Sequence, residues 1–145
     1  MSFAARRRTA AVLALTLACS GLYAQSQGPF KKKRRTDANQ EVLVDSHVHY
    51  TDQCTSASAP LIEVTQPPQH GRVDVREGDV IAKPHAVGIA DCTGTTLRGV
   101  LVYYTPARDF VGQEFFTYDV KINPHPAVHH EVTVSVRAAR AASQP

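Results

Sequence analysis

The sequence lacks the short motifs by which most enzymes are recognised. It contains no G-x-S-x-G nucleophile elbow, no glycine-rich phosphate loop and no H-E-x-x-H zinc signature. Serine, histidine and acidic residues are present, but none of the serines lies in an elbow context that would predict a catalytic triad. These absences favour a protein without catalytic activity.

Long apolar runs and helical periodicity are missing as well. After residue 24 no segment shows apolar residues repeating with the 3.6-residue period of a helix, and no internal repeat is visible. No two cysteines have the C-x-x-C spacing of a redox motif. The part of the chain after residue 24 is therefore expected to consist of strands and loops.

The first 24 residues have the layout of a secretory signal peptide. Three arginines precede the apolar run from Ala10 to Ala18, and Leu22-Tyr23-Ala24 offers a cleavage site. The apolar run is too short to span a bilayer. Cys19 makes a lipoprotein the alternative, although the residues before it depart from a lipobox. We predict that residues 1–24 are removed and that the protein is periplasmic or secreted.

Removal of the signal peptide would leave two cysteines, Cys54 and Cys92. In an oxidising compartment the simplest expectation for such a pair is a structural disulfide. The bridge would close a loop of about 38 residues and contribute roughly 4 kcal/mol on the chain-entropy model. A reactive thiol or a metal-binding pair is the alternative.

Positive charge is concentrated in a single block, Lys31-Lys32-Lys33-Arg34-Arg35. Residues 36–145 carry eight Lys or Arg against thirteen Asp or Glu, a net charge of −5 that the block offsets. Because residues 25–40 show no apolar alternation, we predict a disordered basic arm. Its cations would contact an anionic surface, remain a solvated tail or lie on the chain's own acidic domain. No aromatic residues are interleaved with the cations, so nucleic-acid binding is not predicted.

The stretch from Val100 to Val120 contains two segments with the period-2 alternation of β-strands, joined by a compact corner. Pro106 would end the first strand, Phe110 would pack into the core at the corner, and Gly112 would supply backbone freedom there. The predicted inward-facing residues are Val100, Val102 and Tyr104 in the first segment and Phe116, Tyr118 and Val120 in the second.

Further strands are predicted by the same alternation on both sides of this stretch. They are Glu41–Tyr50 (Val42, Val44, Val48 and Tyr50 opposite Asp45, His47 and His49), Leu61–Thr65 (Ile62 and Val64 inward), Gly71–Arg76 (Val73 and Val75 inward), Val80–Lys83, and Glu131–Arg137 (Val132, Val134 and Val136 inward). Short alternating strands with turn signals between them predict an all-β sandwich over residues 41–137, followed by a disordered tail at residues 138–145.

The corner also resembles a known family. Its sequence is similar to the Y-x-P-x(3)-F-x-G-x-[DE]-x-F-x-Y-x-V signature of bacterial Ig-like and cadherin-like repeats, and the matching residues are Tyr104, Pro106, Phe110, Gly112, Glu114, Phe116, Tyr118 and Val120. Gly71 begins an upstream Gly-x-Val strand that is usual in such domains. The resemblance implies an Ig-like Greek-key β-sandwich of about seven short antiparallel strands, outside the cytoplasm and without catalytic residues. The module occurs once here, whereas such repeats are commonly tandem.

Five of the seven histidines are candidates for a metal site: His47, His49, His125, His129 and His130. The first two would lie on one face of a strand, about 7 Å apart, and the other three cluster before the last predicted strand. If the first and last strands are neighbours, the imidazoles converge with Asp45 or Glu131 on zinc or copper. The alternative is a set of surface histidines with no cofactor.

These observations together predict an exported, non-catalytic Ig-like module with a structural, adhesive or protein-binding role at the cell envelope. The alternative is a periplasmic metal-binding protein that uses its surface histidines. Two further aromatic residues, Tyr103 and Phe115, would form either an exposed contact patch or a cross-strand pair that stabilises the sheet.

Overall fold

The computed structural model describes residues 28–84 and 91–139, and within them it contains seven strands and no helix. The strands are β1 (Phe30–Asp37), β2 (Val42–His47), β3 (Leu61–Gln66), β4 (Gly71–Ile81), β5 (Thr96–Pro106), β6 (Gly112–Lys121) and β7 (Val128–Arg137). The all-β prediction is confirmed. The predicted signal peptide, Cys19 and most of the predicted C-terminal tail lie outside the described residues.

The strands form two sheets that pack face to face as a sandwich. One sheet has the strand order β1-β7-β6-β3 and the other has the order β2-β5-β4. All pairings are antiparallel except that of β1 with β7, which is parallel. The expectation of purely antiparallel short strands is therefore wrong at β1, and two strands, β4 and β5, reach eleven residues each. The two strands predicted at residues 71–76 and 80–83 are one continuous strand, β4, which ends at Ile81.

The core between the sheets consists of the alternate residues that the period-2 pattern predicts. Val102, Tyr104, Phe116, Tyr118, Val132 and Val134 are completely buried, and Val100, Val120 and Val136 are at most 5% exposed. Ile62, Val64, Val73 and Phe110 pack against this core from its edges. Val75 is an exception, because its side chain is 44% exposed near the edge of the sheet.

The basic block is part of the sandwich, which corrects the prediction of a disordered arm. Residues 30–37 form an edge strand whose register on β7 runs from Phe30 opposite His130 to Asp37 opposite Arg137. Edge strands commonly carry lysines, which discourage pairing with other chains. The aliphatic stem of a lysine can also cover apolar surface while its charge stays in water. The sandwich therefore begins at residue 30 and not at residue 41.

A β-bulge in β2 changes the direction of the side chains that follow it. The register on β5 shifts between Leu43 and Asp45, so that Val44 and Asp45 are both buried, at 0% and 5% exposure. An extra residue in a strand moves every later side chain to the opposite face. Asp45 and His47 consequently face the interior, whereas the alternation of the sequence had predicted them on the outer face.

The disulfide between Cys54 and Cys92 is present, as predicted. It lies within a second, smaller apolar cluster at one end of the sandwich, in which Ala82, Cys92 and Leu97 are buried. Val48 and Tyr50, predicted to be inward-facing, pack against this second cluster instead of the main core.

The signature residues connect the β5–β6 corner to the turn before β4. Tyr104 donates a hydrogen bond from its hydroxyl to the carbonyl oxygen of His70 at 2.7 Å. Glu114, which is 4% exposed, accepts hydrogen bonds from the backbone N–H groups of His70 and Phe115. The ring of Phe110 stacks on the imidazole of His70 with 4.4 Å between centroids. These contacts hold two turns of the sandwich together.

We expect Gly71→Ala to lower the free energy of unfolding by about 2 kcal/mol. A Cβ atom at residue 71 would lie 2.4 Å from the carbonyl oxygen of Thr105 and 2.7 Å from the Tyr104 ring, and the backbone φ of +155° is unfavourable for alanine. Urea denaturation measures the change. Gly94→Ala is the matched control: it also has a positive φ, of +84°, but an added Cβ meets nothing within 4 Å. Equal losses in the two variants would contradict the crowding argument.

Candidate functional site

A buried polar cluster lies at one edge of the sandwich, where β1, β2 and β7 meet. Its members are Asp45 and His47 from β2 and His130 from β7, and we name these three residues the His–Asp cluster. Their ligand atoms all lie within 4.8 Å of one another, and His47 Nε2 lies 3.9 Å from Asp45 Oδ2. The bulge in β2 and the inward direction of His130 bring them together.

Two neighbouring side chains complete the polar surroundings of the His–Asp cluster. Lys32 of β1 places its Nζ atom 2.8 Å from Asp45 Oδ2, a salt bridge whose carboxylate side chain is 4% exposed. The Tyr118 hydroxyl lies 3.0 Å from His47 Nε2. Burial raises the pKa of Tyr118, so the phenol keeps its proton at neutral pH.

His130 has an unusual environment for a polar side chain. It is 6% exposed, and its ring stacks between Phe30 at 5.4 Å and Tyr118 at 4.9 Å while His47 meets it edge-on at 5.0 Å. Its Nδ1 atom is buried and has no hydrogen-bond partner among the described residues. A buried polar atom without a partner costs about 1–3 kcal/mol, so it calls for a physical explanation.

Burial sets the protonation of the His–Asp cluster. It lowers the pKa of His130 to about 4, with a further contribution from His47, and it also lowers the pKa of His47 although Asp45 opposes that change. For Asp45 burial raises the pKa, but the hydrogen bond from Lys32, the charge of His47 and the N–H of Ser46 outweigh it, and the pKa is lowered. At neutral pH the cluster holds a carboxylate and two neutral imidazoles.

The other residues predicted as metal ligands lie outside the His–Asp cluster. His49 Nδ1 lies 3.4 Å from the Ser58 hydroxyl, and the half-exposed His129 pairs with Asp119 at 2.6 Å. His125 is exposed in the turn between β6 and β7. Glu131 pairs with Lys31 on the outer face at 3.7 Å. Of the five predicted histidines, the structure brings together His47 and His130.

A second feature lies on the outer face of the four-stranded sheet, where a shallow groove of about 800 Å³ is lined by Lys33, Arg34, Arg35, Gln113, Thr133 and Ser135. We name these six residues the basic groove. The strand register places its side chains in rows across the sheet: Lys33 is opposite Thr133, and Arg35 is opposite Ser135, which is in turn opposite Gln113. The groove thus presents cations beside hydroxyl and amide groups.

The structure divides the basic block into paired and unpaired charges. Lys31 pairs with Glu131, and Lys32 pairs with Asp45. Within the described parts of the chain, no carboxylate lies within 4 Å of the charged groups of Lys33, Arg34 or Arg35. Lys33 and Arg35 are exposed on the outer face and line the basic groove, whereas Arg34 borders the groove from a half-buried, inward position of the strand.

The predicted pair of Tyr103 and Phe115 does not exist, because β5 and β6 belong to different sheets. Tyr103 lies on the outer face of the three-stranded sheet, where the Arg76 guanidinium is 4.5 Å from its ring centroid. Phe115 is 41% exposed on the other outer face, opposite Thr133 and therefore beside the basic groove.

Comparison with known proteins adds no further information. No protein-family model, no curated protein and no solved structure matches the chain. Membership of the Ig-like and cadherin-like repeats therefore stays a prediction from the signature residues. In the described ranges no helix has the length and hydropathy needed to cross a bilayer.

Proposed function

We propose that this protein is an exported, non-catalytic β-sandwich that binds an anionic polysaccharide of the cell envelope in its basic groove. The observation that carries the proposal is the pair of exposed cations without carboxylate partners, Lys33 and Arg35, on a chain whose remainder after residue 35 is acidic. Guanidinium and ammonium groups flanked by hydroxyl and amide donors are well suited to carboxylate, phosphate or sulfate oxygens.

The composition of the groove favours a polyanion over a folded protein partner. Stable protein interfaces have a core of aromatic and aliphatic residues from which charged side chains are largely absent. Here Phe115 is the one exposed aromatic residue described next to the groove, and the lining itself is polar or charged. A charged polymer needs no such apolar core, because its contacts are electrostatic and spread along the chain.

Export and the proposed architecture are supported by observations separate from the groove. The Cys54–Cys92 bridge is typical of proteins that fold in an oxidising compartment. The buried carboxylate of the signature residue Glu114 accepts hydrogen bonds from two backbone N–H groups and so stabilises the corner. These observations support a binding module with the Ig-like architecture that the signature residues predict.

The test compares dextran sulfate with uncharged dextran as ligands for the oxidised mature protein. We expect Lys33→Gln/Arg35→Gln to weaken dextran sulfate binding by at least about tenfold, equivalent to about 1.4 kcal/mol, because two charge-assisted contacts are lost. Binding to the natural sequence should also weaken as salt is added. Isothermal titration calorimetry measures both effects.

Arg98→Gln/Arg108→Gln is the matched control, since it removes the same charge from exposed sites away from the groove. We expect this variant to bind within about twofold of the natural sequence. Equal weakening in both variants would mean that net charge alone governs binding. Binding to anionic vesicles without binding to dextran sulfate would contradict the polysaccharide and favour a lipid surface.

A further inference from the structure

We propose that the His–Asp cluster is a binding site for one divalent transition-metal ion, and that Lys32 is a built-in competitor that must leave Asp45 for the ion to enter. The site is on the opposite side of the four-stranded sheet from the basic groove, and the inference does not depend on the proposed function. Two imidazoles and one carboxylate, with no thiolate, suit a borderline ion such as Zn²⁺ or Cu²⁺.

The spacing of the three ligands is close to what an ion requires. Bonds of about 2.0–2.2 Å from zinc to nitrogen or oxygen place the ligand atoms of a tetrahedral site about 3.3–3.6 Å apart. The ligand atoms here lie within 4.8 Å of one another, and the His47–Asp45 pair is already at 3.9 Å. A contraction of about 1 Å, which side-chain rotation can supply, would complete three bonds.

The orphaned nitrogen of His130 is the second, independent observation. Its Nδ1 atom is buried without a hydrogen-bond partner in the described residues, although the ring is held firmly between Phe30 and Tyr118. Buried imidazoles normally satisfy both nitrogens, because each unsatisfied one destabilises the folded state. Coordination by His130 would use an imidazole that has unused bonding capacity.

Lys32 competes directly for the carboxylate ligand. Its ammonium group lies 2.8 Å from Asp45 Oδ2, the same oxygen that faces His47. Two cations cannot share this position without strong repulsion. Lys32 lies on an edge strand and its side chain is 30% exposed, so the ammonium group can rotate into water when an ion takes its place.

An entry path is present beside the cluster. A cleft of about 430 Å³ is lined by Phe30, Lys32, Asp45, His47 and His130 on one side and by Ile81 among its apolar walls. The cleft is open to solvent, and Ile81 is 64% exposed at its rim. An ion can therefore reach the cluster without unfolding of the sandwich.

The test uses untagged, full-length mature protein that has been stripped with EDTA and titrated with Zn²⁺ or Cu²⁺ against a chromogenic chelator. We expect one ion per chain. His47→Gln and Asp45→Asn should each weaken binding at least tenfold, as expected for loss of a ligand, whereas Lys32→Met should tighten binding about tenfold by removing the competing cation. His49→Gln/His129→Gln, which removes two surface histidines, is the matched control and should bind as the natural sequence does.

The gain in Lys32→Met distinguishes a built site from adventitious binding by surface histidines. The proposal would be overturned if the natural sequence bound the ion with a dissociation constant no tighter than millimolar. It would also be overturned if Lys32→Met bound the ion no more tightly than the natural sequence, or if the surface-histidine control lost as much affinity as the ligand variants. If a variant that lacks one of the metal ligands does not fold, ¹⁵N NMR spectra of the histidine side chains in the natural sequence test which histidines bind the ion. Zn²⁺ should move the His47 and His130 signals, and movement of His49 or His129 instead would refute the site.

Discussion

Replacing Cys54 and Cys92 together by alanine is expected to lower the free energy of unfolding by about 4 kcal/mol. The bridge spans 38 residues of sequence, and the unfolded chain without it gains the conformational freedom of that loop. Cys92 is 3% exposed, so a serine there would bury a hydroxyl group without a hydrogen-bond partner. Alanine avoids this additional cost. The measurement is guanidinium denaturation of the oxidised protein and of the double variant.

The slope of the denaturation curve offers an internal check on this result. A cross-linked unfolded chain exposes less surface than a free one, so the variant should show a larger denaturant dependence as well as a lower midpoint. Reduction of the natural sequence with dithiothreitol should give the same midpoint as the double variant, whereas the variant itself should not respond to the reductant. Coincident midpoints for oxidised protein and variant would show that the bridge contributes nothing to stability.

The local alternation of apolar residues predicted the core because that signal needs no knowledge of distant partners. Val100, Val102 and Tyr104 are buried in β5, and Val132, Val134 and Val136 are buried in β7. In β7 the positions between the buried valines are polar (Glu131, Thr133 and Ser135), so that a single period-2 pattern separates the faces. The cysteine pair was predictable for a similar reason, since the two cysteines after residue 24 leave one intramolecular pairing.

The edge strand β1 could not be predicted in this way. Its inward positions include Lys32 and Arg34, and Phe30 is its one large apolar residue. The strand is ordered by parallel pairing with β7, about 100 residues later in the chain, and not by a hydrophobic face of its own. Backbone hydrogen bonds between distant segments do not require alternating apolar residues, so no period-2 pattern in the sequence indicates this strand.

The candidate site depends on the two features that sequence reasoning missed. The bulge after Leu43 turns Asp45 and His47 into the interior, and β1 supplies Lys32. The sequence hypothesis made the histidines meet through neighbouring first and last predicted strands, and it placed His49 and His129 in the same group. Those strands belong to different sheets, and His47 meets His130 across the interior instead. A bulge reverses the direction of every later side chain, so one undetected residue was enough to change the ligand set.

We expect Glu114→Ala to lower the free energy of unfolding by about 3 kcal/mol. The Glu114 carboxylate accepts hydrogen bonds from the backbone N–H groups of His70 and Phe115, and alanine would leave these donors without a partner at the β5–β6 corner. Each buried unsatisfied donor costs about 1–3 kcal/mol. Glu63→Ala is the matched control, because the half-exposed Glu63 on the same sheet pairs with Lys121 in water and should cost less than about 1 kcal/mol.

Glu114 should also make stability depend on pH in the acid range. Burial raises the pKa of its carboxyl, but hydrogen bonds from the N–H groups of Phe115, His70 and Gln69 outweigh this effect and hold it below 4.5. As the pH falls below 4.5, the carboxyl of Glu114 takes up a proton in the unfolded chain before it does so in the folded protein. The stabilising contribution of Glu114 is therefore fully present above pH 4.5 and is lost as the pH falls through the pKa of the folded state. Urea denaturation between pH 3 and 6 should therefore show a steeper acid loss for the natural sequence than for Glu114→Gln. If the free energy of unfolding depended on pH equally in both proteins, the charge of the Glu114 carboxylate would not contribute to the stability of the corner.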